Sequence, residues 1–187
     1  EYLAHDGEQF FDAERNATVV REAERYYRVM YYGSRDSWNL RDRHMFDTLR
    51  AALHHRGEDA RAVVWAHNSH IGNAAATEMG TRGEINIGQL AREPYGSDAY
   101  SIGFGTHRGE VAAASNWDEP MQVRAVRPSH EDSYERLCHD SGVNAFLLHL
   151  RDPENPDVRH ELLRPHLERA IGVIYRPCLL YTSPSPR

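Results

Sequence analysis

The sequence predicts an α/β fold, a largely parallel sheet flanked by helices, on three observations. Two long stretches in the first third repeat apolar residues at helical spacing. Several apolar runs, too short for helices and rich in β-branched and aromatic residues, are followed by Gly, Asn, Ser or Pro. Helical and strand-like stretches then alternate along the chain, which is the order that lays helices on a mainly parallel sheet.

The first helix is predicted over Glu14–Tyr32, where Val19, Ala23, Tyr26, Tyr27, Met30 and Tyr31 recur at helical spacing and Gly33 is placed to end it. A second runs from Ser37 to its closing Gly57. Trp38, Met45, Leu49, Ala52 and Leu53 share a face that also contains Asp42, while His54, His55 and Arg56 suit the negative end of the helix dipole. Arg61–Ala66 reads as a short buried strand. Ile71–Glu84 is expected to be mainly loop with a turn of helix around Ala74–Ala76, and a short helix follows at Ile87–Arg92. Loops of this length are often functional. Further strands are predicted at Ala99–Phe104, Val111–Ala114 and Gln122–Val126, followed by a helix at His130–His139 and a strong strand at Ala145–Leu150. A Pro-rich turn at Arg151–Pro156, a helix through His160–Leu163 and a final strand at Ala170–Tyr175 complete the order.

At 187 residues the chain has the size of one domain burying roughly 70% of its unfolded surface, and it contains no repeat or internal boundary. The formal net charge of -6, without a basic block, gives no general attraction for nucleic acid or anionic lipid. No apolar run approaches the roughly 20 residues that span a bilayer, so no membrane partner is expected. Every basic residue other than His is Arg, a bias to which no function attaches. Cys138 and Cys178 do not make a disulfide framework and fit a reducing compartment, so a cytoplasmic location is expected. The chain opens on Glu1 without an initiator Met, and an upstream segment is expected to be missing. Residues 178–187, "CLLYTSPSPR", look like a translated sequencing adapter, which leaves residues 1–177 as a partial domain.

The stretch "VVWAHNSHIG" sets His67 and His70 three residues apart, just past a predicted strand, where α/β folds place ligand sites. An imidazole pair at that spacing suits general acid/base work if the loop begins a helical turn. Two turn histidines, or half of a metal shell lacking its third protein ligand, are the alternatives. In "WNLRDRHM", Asp42 points to the buried side and requires a partner, and Arg41 sits beside it; a first-turn carboxylate favoured by the helix dipole is the other reading. "GFGTHRGE" fails as a phosphate loop, because Gly109 follows at the wrong spacing and a strand comes next; His107 is expected to be a solvated turn histidine. Ser69 and Ser101 lack a nucleophile elbow, and Cys138 lies among charged residues of a helix. The other histidines show no ligand spacing.

"WNLRDRHMFDTL", "RAVVWAHNSHIG", "YSIGFGTHRGEV" and "SYERLCHDSG", in this order over about Asp12 to Pro177, closely resemble the erythromycin esterase family. The resemblance implies a hydrolase with its own α/β fold, in which water rather than a serine attacks an ester or macrolactone carbonyl. It implies no metal and no cofactor, and a small-molecule ester or lactone substrate. It places the general base in a G-E-x-x-H-G segment that this sequence does not contain, so the chain alone is expected to be inactive. What carries over is His67 and His70 as catalytic residues, orienting water and polarising the carbonyl, with Arg41, Asp42 and Asn68 supporting them or lining the site and residues 71–84 as a substrate loop. A metal-dependent hydrolase using the two histidines as ligands, and a small-molecule-binding homologue without catalysis, remain as alternatives.

Overall fold

The computed structural model describes residues 2–151, 156–175 and 181–182. These residues cluster into two units, one holding residues 1–66, 70–75 and 79–101 and the other residues 67–69, 76–78 and 102–187.

The first unit is helical. Helix α1 (Tyr2–Met30) packs along α2 (Ser34–Arg56), and Gly57 closes α2 as predicted, its N–H bonding the His54 carbonyl at 3.3 Å. Helix α1 starts earlier than predicted and in a different phase. Its half-buried residues are Phe11, Arg15, Thr18, Glu22, Ala23, Tyr26 and Val29, so that Ala23 and Tyr26 of the predicted stripe face inward, whereas Val19, Tyr27, Met30 and Tyr31 are exposed. Contacts near the far end of α2 hold that phase: Phe11 stacks on the His55 ring at 4.1 Å, and His55 Nε2 donates to Glu8 Oε1 at 3.1 Å.

Beyond α2 come α3 (Asn68–Ile71), a 3-10 turn at Ala74–Ala76, α4 (Glu78–Thr81) and α5 (Ile87–Tyr95). Phe46 of α2 forms the core with Ile87 and Leu90 of α5, and Met45, Leu49, Ile85, Ala91 and Tyr95 pack around them. Asn86 caps α5, its Oδ1 accepting from the Gln89 N–H at 2.9 Å and from the Ala74 N–H at 3.3 Å. The cap fixes both the helix start and the 3-10 turn. Helix α5 lies so close to residues 71–72 that a Cβ on Gly88 would sit 2.0 Å from the Gly72 carbonyl oxygen and 2.1 Å from that of Ile71.

The second unit contains β1 (Gly109–Ala113) and β2 (Gln122–Val126), antiparallel with Gly109 opposite Val126 and Ala113 opposite Gln122. Helix α6 (Tyr134–Asp140) is capped by Ser133, and α7 (Pro156–Leu162) precedes β3 (Glu168–Arg169), which pairs antiparallel with β4 (Tyr181–Thr182). Ala113 and Tyr175 form its small core with Val111 and Ile171.

The fold mixes helices with small antiparallel sheets, and the predicted largely parallel sheet is not found. Among the described residues each sheet has two strands, and parallel pairing is confined to two isolated bridges, Ala114 with Ile174 and Ser133 with Leu167. The stretches Arg61–Ala66, Ala99–Phe104 and Ala145–Leu150 form no strand, and the last predicted strand reduces to the rung at Ile174. Val63 is 93% exposed, Trp65 90% and Leu147 77%. A strand exists only as half of a hydrogen-bonded ladder, and these stretches take part in none of the described ladders. The helix predicted from His130 begins at Tyr134 because Ser133 accepts its cap bond there. Within the predicted Pro-rich turn, residues 152–155 lie outside the described residues.

His107 is also not the solvated turn residue expected. It is half-buried, its ring stacks on His139 with centroids 3.6 Å apart, and its Nδ1 lies 2.6 Å from Ser129 Oγ. Arg169 holds the surrounding loops, donating to the carbonyls of Thr106 at 3.3 Å, His107 at 3.2 Å and Arg127 at 2.7 Å. Burial, and then the neighbouring His139, hold the His107 imidazole below its ordinary pKa.

Two outcomes follow from this packing. Phe46→Ala should cost about 3–5 kcal/mol in urea unfolding, since Phe46 is buried, whereas Val63→Ala should change stability by less than about 0.5 kcal/mol. Unfolded His107 takes up its proton near pH ~6.5, before the folded residue does, so its contribution is lost as pH falls through that range. Glu168, raised by burial and then by Glu135, acts in the opposite sense, its contribution being lost as pH rises. The thermal midpoint should therefore fall less between about pH 7.5 and 5.5 in His107→Gln than in the parent chain. Equal falls would contradict the assignment.

Candidate functional site

The site in the first unit is built on one face of α2. Trp38 Nε1 donates to the Ile85 carbonyl at 2.8 Å. The Asn39 side chain donates to the Gly83 carbonyl at 2.8 Å and accepts from the Ile85 N–H at 2.9 Å. Asp42 Oδ1 accepts from the Ile87 N–H at 3.3 Å. Residues 83, 85 and 87 are thus gripped in alternation by one helix, with Asp42 at the positive N-terminal end of α5.

Asp42 is 0% exposed, which confirms the phase read from the sequence. A carboxylate wholly removed from water is costly unless hydrogen-bonded and paired. Its principal partner is His70, whose Nδ1 lies 2.8 Å from Asp42 Oδ1. A carboxylate only accepts, so this contact places the proton on Nδ1. In the neutral ring Nε2 then carries the lone pair, and it makes no hydrogen bond among the described residues. Trp38 fixes the plane of the ring, stacking on it with centroids 4.6 Å apart at 7°.

Arg41 completes the group. Its guanidinium lies 4.8 Å over the Trp38 ring, and its Nε is 4.0 Å from Asp42 Oδ2. That is an ionic contact too long for a hydrogen bond, and Oδ2 is buried with no hydrogen bond among the described residues. Arg41 is partly exposed, so its donors remain open to an incoming group. His70, a fifth exposed, presents an oriented acceptor, and Arg41 presents a cation; both lie against the same indole.

The other two predicted residues belong to the second unit and are held differently. His67 Nδ1 accepts from the Ser69 N–H at 3.2 Å and lies 2.9 Å from Ser69 Oγ, while its Nε2 donates to the Ile171 carbonyl at 2.8 Å. Both ring nitrogens are occupied. Asn68 clasps the main chain of Phe104, donating to its carbonyl at 2.7 Å and accepting from its N–H at 3.2 Å. Of the predicted site residues, then, Arg41, Asp42 and His70 converge, and His67 and Asn68 tie down other segments.

Among the described residues no group of three or more His, Cys, Asp or Glu is placed to hold a metal ion. Cys138 is half-buried in α6, and burial followed by the charge of Glu135 pushes its thiol pKa up, away from a nucleophilic thiolate. Sequence reasoning missed Trp38 as a site residue, counting it only as apolar, and missed Asn39 and Asn86. The signal for Asn86 was present, an Asn directly before the apolar-periodic Ile87.

If Asp42 and His70 form a coupled pair, a double-mutant cycle with Asp42→Asn and His70→Gln should give an interaction of about 1–3 kcal/mol in unfolding free energy. The cycle of Asp42→Asn with His67→Gln should give none beyond about 0.5 kcal/mol.

The family model for erythromycin esterase matches residues 1–183. Among curated proteins, an erythromycin esterase type II from Escherichia coli is 23% identical over 129 residues, which is 66% of this chain and 31% of the relative. The chain therefore spans less than a third of the length of that relative. No solved structure matches. The motifs that carried the resemblance include the residues that meet at the buried carboxylate, and the match runs through nearly all of the sequence: the chain belongs to the erythromycin esterase family.

Proposed function

We propose that this chain carries part of the site of a carboxylic-ester hydrolase, one that opens an ester or macrolactone bond with histidine-activated water. Membership of the family supports hydrolysis as the reaction class. The observation that carries the assignment of residues is the Asp42–His70 pair, a histidine fixed by a buried carboxylate at Nδ1 and stacked on Trp38.

In this reading Nε2 of His70 accepts a hydrogen bond from the attacking water and so orients its oxygen toward the carbonyl carbon. As the new C–O bond forms, the water proton passes to the general base, which the family resemblance assigns to a segment outside this sequence. Negative charge develops on the carbonyl oxygen, and the Arg41 guanidinium meets it. Collapse of the tetrahedral intermediate breaks the bond to the leaving oxygen and releases a carboxylic acid and an alcohol. The hydrogen bonds of His67 support a positioning role, joining residues 67–69 to Ile171, in place of direct catalysis. Asn68 supports the segment at Phe104 in the same way.

The test uses the complete family domain that carries this stretch, assayed with aryl esters and with a macrolactone. His70→Ala should lower kcat by about 10²–10⁴, Arg41→Ala should lower it by about 10² or more, and His67→Ala should act mainly on stability. A domain that hydrolyses no ester, or a His70→Ala variant of unchanged rate, would sink the reading. Activity lost on chelation and restored by zinc would assign the chemistry to a metal instead.

A further inference from the structure

We infer that the face of α1 turned away from α2 is a seam for a second copy of this chain, with the two α1 helices antiparallel. At about 100° per residue, Ala13, Ala17, Val20, Glu24, Tyr27 and, just past the helix end, Tyr31 fall on one line, four and three residues apart in turn. All six are exposed. The half-buried line of Phe11, Arg15, Thr18, Glu22, Tyr26 and Val29 runs along the opposite side of the same helix. Val20 is 71% exposed, Tyr27 62% and Tyr31 87%. Spacing of four and three is that by which one helix packs along another, and an apolar line left in water marks a surface that a partner covers.

The side chains on the line select the partner. Its first half carries two small residues, Ala13 and Ala17, and its second half two large ones, Tyr27 and Tyr31. A parallel copy sets alanine against alanine, tyrosine against tyrosine and the Glu24 carboxylate against its own twin. Turned end for end, the second copy lays its Tyr31 over Ala13, its Tyr27 over Ala17 and its Glu24 beside Val20, so that each large side chain meets a small one. In that register Glu24 of each copy comes level with Arg21 of the other, and Glu14 lies within about one turn of Arg28. The charges needed are on the surface and held only by exposed neighbours. Arg21 is 3.0 Å from the adjacent Glu22, and Glu24 is 3.5 Å from Arg28. Such pairs contribute little and exchange readily for contacts across a seam.

The test is sedimentation velocity on this chain and on two charge variants. From about 1 µM to about 300 µM the chain should pass from monomer to dimer. Arg21→Glu and Glu24→Arg should each weaken the dimer at least about tenfold, since like charges then meet across the seam. An equal mixture of the two variants should recover the parent affinity to within about threefold, because every cross-seam pair is again of opposite sign. Both positions are exposed, so each variant should keep the helical circular dichroism of the parent. If either loses helix, Tyr27→Ser and Tyr31→Ser take their place and should weaken the dimer at least about tenfold. A chain that stays monomeric over the whole range would overturn the proposal. So would a dimer that none of these substitutions weakens, or a mixture of the folded charge variants that binds no more tightly than either alone.

Discussion

The cluster of Trp38, Arg41 and His70 in the first unit is organised around one buried carboxylate, Asp42. Removing Asp42 from water costs several kcal/mol, and that cost is offset only if its neighbours are held in place. His70 approaches one oxygen, the Ile87 N–H at the start of α5 also donates to it, and Arg41 approaches the second oxygen. The three partners come from three segments of the chain. A single side chain thereby joins α2, the end of α3 and the start of α5, and the Phe46 core packs the same two helices, α2 and α5. The W-N-x-x-D spacing of α2 sets three side chains on the main chain of the segment that leads into α5: Trp38 on the Ile85 carbonyl, Asn39 on the Gly83 carbonyl and the Ile85 N–H, and Asp42 on the Ile87 N–H.

The helices were legible because their signals are local. Apolar period, a closing Gly57, and the run from Ile87 all act within a few residues, and the structure keeps α2, the turn at Ala74–Ala76 and α5 where those signals put them. Asp42 was legible for the same reason, since helical phase alone turns it inward. Its partner was not. That His70 reaches Asp42 depends on how residues 70–71 meet α2, a tertiary fact invisible in H-x-x-H spacing. The phase of α1 was legible only in part: Ala23 and Tyr26 face inward as predicted, while Phe11, which stacks on His55, was missed and Val19, Tyr27 and Met30 are exposed. The strands predicted at Arg61–Ala66, Ala99–Phe104 and Ala145–Leu150, which do not form, show a different limit. Strand propensity reports fitness for a neighbour, and among the described residues none of these stretches joins a ladder.

The two histidines of "AHNSH" therefore differ in their hydrogen bonding. In His67 the ring is spent on structure, one nitrogen accepting from Ser69 and the other donating to Ile171. In His70 one nitrogen is spent on Asp42 and the other is kept. An oriented imidazole with one committed nitrogen can hold water toward a carbonyl, whereas a doubly committed one serves best as a clasp.

That difference is directly observable as a difference in tautomer. Imidazole nitrogen NMR of the 15N-labelled protein, at a pH where both rings are neutral, reads which nitrogen carries the proton. His70 is predicted to be protonated at Nδ1, with Nε2 bare, and His67 at Nε2, with Nδ1 bare. Finding the same tautomer in both rings, or a His70 signal unmoved by Asp42→Asn, would contradict the account.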